Sequence, residues 1–147
     1  GVCVSITTSN NRLVVGGEEK IWMVDLQTWK IINTIQTDKV NWWLTTSGDR
    51  IFSDHGLPYL TCHNLSGEKL YTTTPLPTNI LSITSLLDGS LYVTCGNLHV
   101  YHVSPDGQSY ELVQTEGLKG FKVNFNKTLH KLSLCDKRGV VRIFHLF

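Results

Sequence analysis

Apolar and polar residues alternate along most of this chain in short runs, and clusters of Asn, Gly, Asp and Ser interrupt them. The first runs are "VCVSITT" (2–8), "RLVVGG" (12–17) and "IWMVDL" (21–26), the first two separated by "SNN". A two-residue alternation puts one apolar row on each strand face, and runs of this length bounded by turn residues read as β-strands. About fifteen such runs succeed one another, so the pattern predicts an all-β chain with less than about 10% helix. Composition agrees. The chain has no alanine and sixteen threonines; alanine is the best helix former, whereas Thr and Val suit a pleated surface.

The runs repeat. "IWMVDL" (21–26), "LTCHNL" (60–65), "LHVYHV" (98–103) and "VRIFHL" (141–146) each close on a polar residue followed by Leu or Val. The closing residues Leu26, Leu65, Val103 and Leu146 are spaced 39, 38 and 43 residues apart. Each segment is preceded by another short strand ("RLVVGG", "DRIFSD", "SLYVTC", "HKLSLC") and, before it, a further one ("VCVSITT", "VNWWLTT", "ILSITSLL", "FKVNFN"). The turns between those two strands, "SNN", "SGD", "LDG" and "NKT", suit tight hairpins. After three closing segments a polar turn leads to a last strand: "KIINTIQT", "KLYTTTP" and "SYELVQTE". A period near 40 residues holding four antiparallel strands is the signature of a β-propeller. The expected architecture is a partial propeller over residues 2–147, with blades at about 2–37, 38–78, 79–119 and 120–147. Three blades are complete and the last has three strands.

"RLVVGGEEKIWMVDLQTWKIINTIQ" resembles a WD repeat, in which a strand ends on Trp-Asp before a short turn to an outer strand. "CDKRGVVRIFHL" is similar, with Phe144-His145 where Trp-Asp would stand; the other pairs are Val24-Asp25, His63-Asn64 and Tyr101-His102. Only Asp25 keeps the acid, and NHL-type repeats share a similar period. In WD propellers the outer strand of the last blade usually comes from the other end of the chain. Here the segment from Val2 reads as an inner strand instead. The resemblance therefore implies the C-terminal half of a WD-like propeller, completed by a second half from the same or a different chain. Apolar faces are expected at both end blades, with Val140, Val141, Ile143 and Phe147 near the contact. The interblade core is expected to include Leu13, Val15, Ile21, Val24, Ile83, Val93, Val100, Leu134 and Ile143.

Net charge is +1, which leaves no basic footprint for nucleic acid. No apolar run approaches the roughly 20 residues of a membrane-spanning helix. Cys3, Cys62, Cys95 and Cys135 lie far apart within apolar patterns and without C-x-x-C spacing, so buried reduced thiols are expected rather than zinc ligands. That points to an intracellular protein, cytoplasmic or nuclear. The sequons Asn64-Leu-Ser and Asn126-Lys-Thr point the other way, but a chain rich in Asn and Thr forms such triplets by chance.

Candidate chemistry is sparse. His99 and His102, three apart on a strand, face opposite sides and share no metal. His102 and His145 are expected to make structural hydrogen bonds where the WD aspartate would stand. Ser53-Asp54-His55 are consecutive, whereas a nucleophilic triad converges in space. "VVGGEEK" joins two strands and is not a phosphate loop. Adjacent Trp42 and Trp43 are expected to pack between blades. No catalytic residue, metal or cofactor is expected. Binding groups on a rigid scaffold concentrate on its loops, and those of one propeller rim carry Glu18, Glu19, Lys20, Asp38, Lys39, His55, Lys119, Lys137 and Arg138. This set suits recognition of a protein or peptide, so the expected function is a non-catalytic protein-interaction scaffold. A lectin-like ligand binder and an NHL-type nucleic-acid reader are the alternatives.

Overall fold

A computed structural model describes residues 2–145. Fifteen strands and no helix occur among them. They form four antiparallel sheets in simple up-and-down order: β1(Ser5–Ser9), β2(Arg12–Gly16), β3(Lys20–Asp25) and β4(Ile31–Gln36); then β5(Trp43–Ser47), β6(Arg50–Asp54), β7(Leu60–Asn64) and β8(Lys69–Thr72). The third holds β9(Ile80–Ser85), β10(Leu91–Cys95), β11(Val100–Val103) and β12(Tyr110–Leu112), and the fourth β13(Lys122–Asn126), β14(Lys131–Cys135) and β15(Val141–His145). The chain divides into two compact units. Residues up to Gly56 with Leu60–Thr72 hold the first two sheets, and Leu57–Tyr59 with the residues from Thr73 on hold the last two.

The turns form where the sequence places them. Asn10 and Asn11 both have positive φ (47° and 59°), the backbone that a two-residue hairpin turn with right-handed twist requires. Asp25 closes the β3–β4 turn by accepting from the backbone N–H of Gln27 and Thr28, both at 2.8 Å. Asn64 does the same for the β7–β8 turn with Ser66 and Glu68, at 3.1 and 2.9 Å. His102 does not take this role: its ring lies 5.0 Å from that of Tyr92, and its Nδ1 is 3.5 Å from Glu111. Ser104 and Asp106 close that turn instead, accepting from Ser109 and Gln108. His145 is exposed, opposite Lys131.

In the first unit Val14, Ile21, Met23, Ile35, Leu44 and Ile51 form the core. Leu13, Val15 and Val24 do not join it. Register pairs Val14 with Met23 and Gly16 with Ile21, so strict alternation turns Leu13, Val15, Trp22 and Val24 to the other face of the sheet, where they are half-buried. In the second unit the core is Tyr92, Val100, Leu118, Val123, Phe125, Leu132 and Leu134. Ile83 and Val93 are buried as expected, but Ile143 is 60% exposed. It sits on the outer strand β15, on the face opposite Phe144, which packs on that core. Val140, just before β15, and Val141 are exposed too; across β14 and β13 the row opposite Val141 and Ile143 holds Cys135, Ser133, Lys122 and Asn124. Phe147 and Leu146 lie outside the described residues.

Within each unit the innermost strands of neighbouring sheets run side by side without backbone pairing. Their exposed edges would cost stability if left unpaired, and hydroxyl side chains serve them. Thr46 Oγ1 donates to Thr8 O and Ser9 Oγ to Gly48 O, both at 2.9 Å. In the second unit Thr84 Oγ1 accepts from Phe125 N at 2.9 Å and Ser82 Oγ from Val123 N at 3.3 Å. These contacts give the threonine-rich, alanine-free composition a structural use.

Two further expectations need correction. Trp42 is 56% exposed and precedes β5 rather than lying in it, while Trp43 is half-buried. Asn41 before it is bonded to Gly17 and Lys20, Trp42 N still reaches Asp54 O of β6 at 2.9 Å, and the Trp42 indole lies beside Gly56. Cys62 and Cys95 are buried and Cys135 half-buried, but Cys3 is exposed in the segment before β1; all four are free.

Candidate functional site

Up-and-down strand order brings the second-to-third-strand loops and the sheet-joining loops to the same end of each unit. In the first unit this end carries Glu18 and Glu19 in the β2–β3 loop, Lys20 at the start of β3, and Asp38 and Lys39 in the β4–β5 loop, all exposed. Asn41, fully buried, ties the two loops together: its Nδ2 lies 3.0 Å from Gly17 O, 3.2 Å from Lys20 O and 3.0 Å from Thr37 Oγ1. Thr37 N adds a 2.8 Å bond to Glu19 O.

His55 follows β6 and is half-buried. Its Nδ1 lies 3.1 Å from Val40 O, which only accepts, so Nδ1 carries the proton and Nε2 accepts from Ser53 Oγ at 3.2 Å. Burial pushes the His55 pKa down and favours the neutral ring. Asp54 spends one carboxylate oxygen on Gly56 N at 2.9 Å. Ser53, Asp54 and His55 therefore do not form a nucleophilic relay, because the ring nitrogen that an aspartate would orient is bonded to a carbonyl.

The other three predicted residues converge. In the second unit Lys119, Lys137 and Arg138, with Leu98, Gly117 and Asp136, line a cavity of about 360 Å³. Three loops build it: β10–β11, β12–β13 and β14–β15. Backbone bonds fix them, Gly120 N to Leu98 O and Phe121 N to Cys135 O at 2.8 Å each. A positive φ at Glu116 and Gly117 (54° and 81°) turns the middle loop sharply, and Thr115 Oγ1 donates to Leu118 O at 2.7 Å.

Asp136 organises this cavity. Its Oδ1 accepts from Arg138 N at 2.8 Å and Val140 N at 2.9 Å; its Oδ2 accepts from Arg138 Nε and Nη2, both at 3.1 Å. Desolvation pushes the Asp136 pKa up, but the bonds from Val140 and Arg138 outweigh it and hold the carboxyl below its ordinary value. The Arg138 side chain remains 83% exposed. Beside the cavity, the Phe121 ring lies 5.4 Å from Lys122 Nζ and 5.6 Å from Lys137 Nζ, within range of cation–π attraction.

Sequence reasoning named the three cations but missed Asp136 and Phe121. The run "CDKRG" held a signal, since an Asp two residues before a turn cation is placed to cap that turn. Phe121 gave none, because its role depends on lysines from two different elements.

No protein-family model matches the sequence, and no curated protein matches it. Solved structures do. The N-terminal part of BBS1, crystallised in complex with ARL6, superposes with a TM-score of 0.79 at 16% identity, covering 98% of this chain and 48% of that one. The Myceliophteria thermophila Cps50 (Swd1) β-propeller domain gives 0.77 at 11% identity, with 99% and 54% covered. A computationally designed protein, Ika4, gives 0.74 at 11% identity, with 100% and 92% covered. The chain thus spans about half the length of the two natural chains it superposes on. The likeness shows the fold: an all-β, β-propeller segment of about four blades, three four-stranded and one three-stranded.

Proposed function

We propose that this chain is a non-catalytic protein-interaction scaffold, a WD-like propeller half that binds a protein or peptide through its loop rim. The observation that supports this most is the convergence of Lys119, Lys137 and Arg138 on one cavity held by rigid loops. The BBS1 neighbour, crystallised with a protein bound, adds support by analogy of fold, which alone does not fix function. The acid kept at Asp25, and its capping of the outer hairpin turn, favour the WD-like over the NHL-like reading. Three of the five rim cations share one pocket, which favours a peptide over nucleic acid. The buried free thiols Cys62 and Cys95 favour an intracellular setting, cytoplasm or nucleus.

The experiment compares affinity enrichment by the wild-type chain with that by a Lys119→Glu, Lys137→Glu, Arg138→Glu variant, read by quantitative mass spectrometry. The reading expects a defined protein partner that the variant loses. Partners retained equally by both chains would count against it.

A second propeller half is also proposed, because the outward face of β1–β3 carries Ile6, Leu13, Val15, Trp22 and Val24 half-buried or exposed. An apolar face of this kind marks an interaction site. Sedimentation equilibrium at low micromolar concentration is expected to show self-association or a need for a partner, and a stable lone monomer would contradict this part.

A further inference from the structure

The cavity of the second unit has a chemistry that names its ligand more closely. Three cationic side chains line it against one carboxylate, and that carboxylate is already spent: each Asp136 oxygen accepts two hydrogen bonds from its own turn. Arg138 is oriented by this pairing. Its Nε and one Nη2 hydrogen face Asp136, so the planar fork turns Nη1 and the second Nη2 hydrogen outward, where the side chain is largely exposed. An outward guanidinium edge already held in place is suited to a bidentate bond with an incoming oxyanion, because little rotamer freedom remains to be lost. Lys119 and Lys137 supply point charges from two different loops lining it, while Leu98 and the nearby Phe121 ring offer apolar contact.

We propose that this cavity docks an acidic peptide segment, whose oxyanion side chain is held by Arg138 with Lys119 and Lys137. The proposal rests on the protein-interaction reading and deepens it. A volume of about 360 Å³ fits one or two side chains rather than a folded surface. A peptide suits it better than nucleic acid, since the whole chain carries a net charge of only +1 and the cavity is a small concavity rather than a long basic track. The oxyanion is a carboxylate or a phosphate, and the same donors serve both.

Fluorescence anisotropy with labelled synthetic peptides tests this on the full chain. The probes are a Glu-rich peptide, a phosphoserine peptide, its unphosphorylated twin and a Lys-rich peptide, with a single-stranded RNA as competitor. At least one acidic peptide is expected to bind, more weakly as salt rises from about 50 to 200 mM. Binding by the Glu-rich peptide assigns a carboxylate, and binding by the phosphoserine peptide alone assigns a phosphate. The Lys119→Glu, Lys137→Glu double variant is expected to lose affinity roughly tenfold or more. Lys127→Glu, at the opposite end of the same sheet, is expected to change it less than about twofold. These side chains are exposed, so melting temperatures serve as the control for folding. Failure of both acidic peptides to bind, equal loss in Lys127→Glu, or displacement by RNA in preference to peptide would overturn the proposal. If the acidic peptides fail while enrichment still finds a rim-dependent partner, the acidic-peptide assignment alone falls. If enrichment also fails, the scaffold reading falls with it.

Discussion

Leu134 and Ile143 lie on neighbouring strands of the last sheet and carry equally large side chains, yet their environments differ sharply. Leu134 is 1% exposed in the core of the second unit, and Ile143 is 60% exposed on β15. Leu134→Ala deletes about three carbon groups at about 0.8 kcal/mol each, roughly 2.4 kcal/mol of transfer free energy. The void adds to this at about 24 cal/mol per Å³ wherever neighbours do not close over it. The site already adjoins an apolar cavity of about 160 Å³, lined also by Val100, Leu132 and Phe144, so closure is incomplete. A total of about 3 kcal/mol follows, within the range seen for buried leucines. Ile143→Ala gives up little burial and is expected to cost under about 1 kcal/mol. For a chain of this size the first change lowers Tm by roughly 6–12 °C and the second by less than about 4 °C. Far-ultraviolet circular dichroism, with heat and with urea, is the assay. All four tryptophans lie in the first unit, so their fluorescence reports that unit alone. Equal losses from the two substitutions, or a Leu134→Ala cost below about 1 kcal/mol, would refute the assignment of faces in β14 and β15.

Acid should destabilise the protein in two steps. Burial holds His55 and His63 below the ordinary histidine value of 6.5, so the stability tied to their neutral forms is present above that pH and lost as pH falls through their lower folded values. Asp25, Asp88, Asp106 and Asp136 titrate below 3.8 when folded, so their contribution is lost only below about pH 4. Melting curves from about pH 7 to 2 check this. Asp136→Asn should make the lower step shallower and leave the upper one; an unchanged lower step would contradict the role given to Asp136. Thiol titration should find the exposed Cys3 fastest, the half-buried Cys135 slower, and the buried Cys62 and Cys95 slowest; burial also raises the Cys62 pKa. Cys3→Ser is expected to abolish the fastest phase, and a fast phase that survives both Cys3→Ser and Cys135→Ser would contradict the burial of Cys62 and Cys95.

The strands, their turns and their grouping into sheets were legible because period-two alternation and turn residues are local signals. The face of the first sheet that meets its neighbour was not. β2 reads Leu13-Val14-Val15 and β3 reads Ile21-Trp22-Met23-Val24, so both faces are apolar and alternation carries no information about which is covered. Trp42 misled for a different reason: its neighbours favour a strand, but it sits at the end of the Asn41-tied loop, with only its N–H on β6 and its indole exposed. At the rim, sequence located the charged loops, yet it did not show that three of the nine residues share one cavity while the other six lie on the first unit. That convergence depends on Gly120 and Phe121 bonding to Leu98 and Cys135, contacts 22 and 14 residues apart in sequence.

The central claim is that the loop rim is the partner-binding surface, and site-specific photo-crosslinking tests it most directly. Benzoylphenylalanine at Lys137 places the probe on the rim of the last sheet and leaves Arg138 and Lys119 to hold the partner. The same probe at Leu129, exposed in the β13–β14 turn, places it at the other end of the same strands. Illumination in cells is expected to give a discrete protein adduct from Lys137 and none from Leu129. An adduct from Leu129 alone, or equal adducts from both positions, would contradict the account.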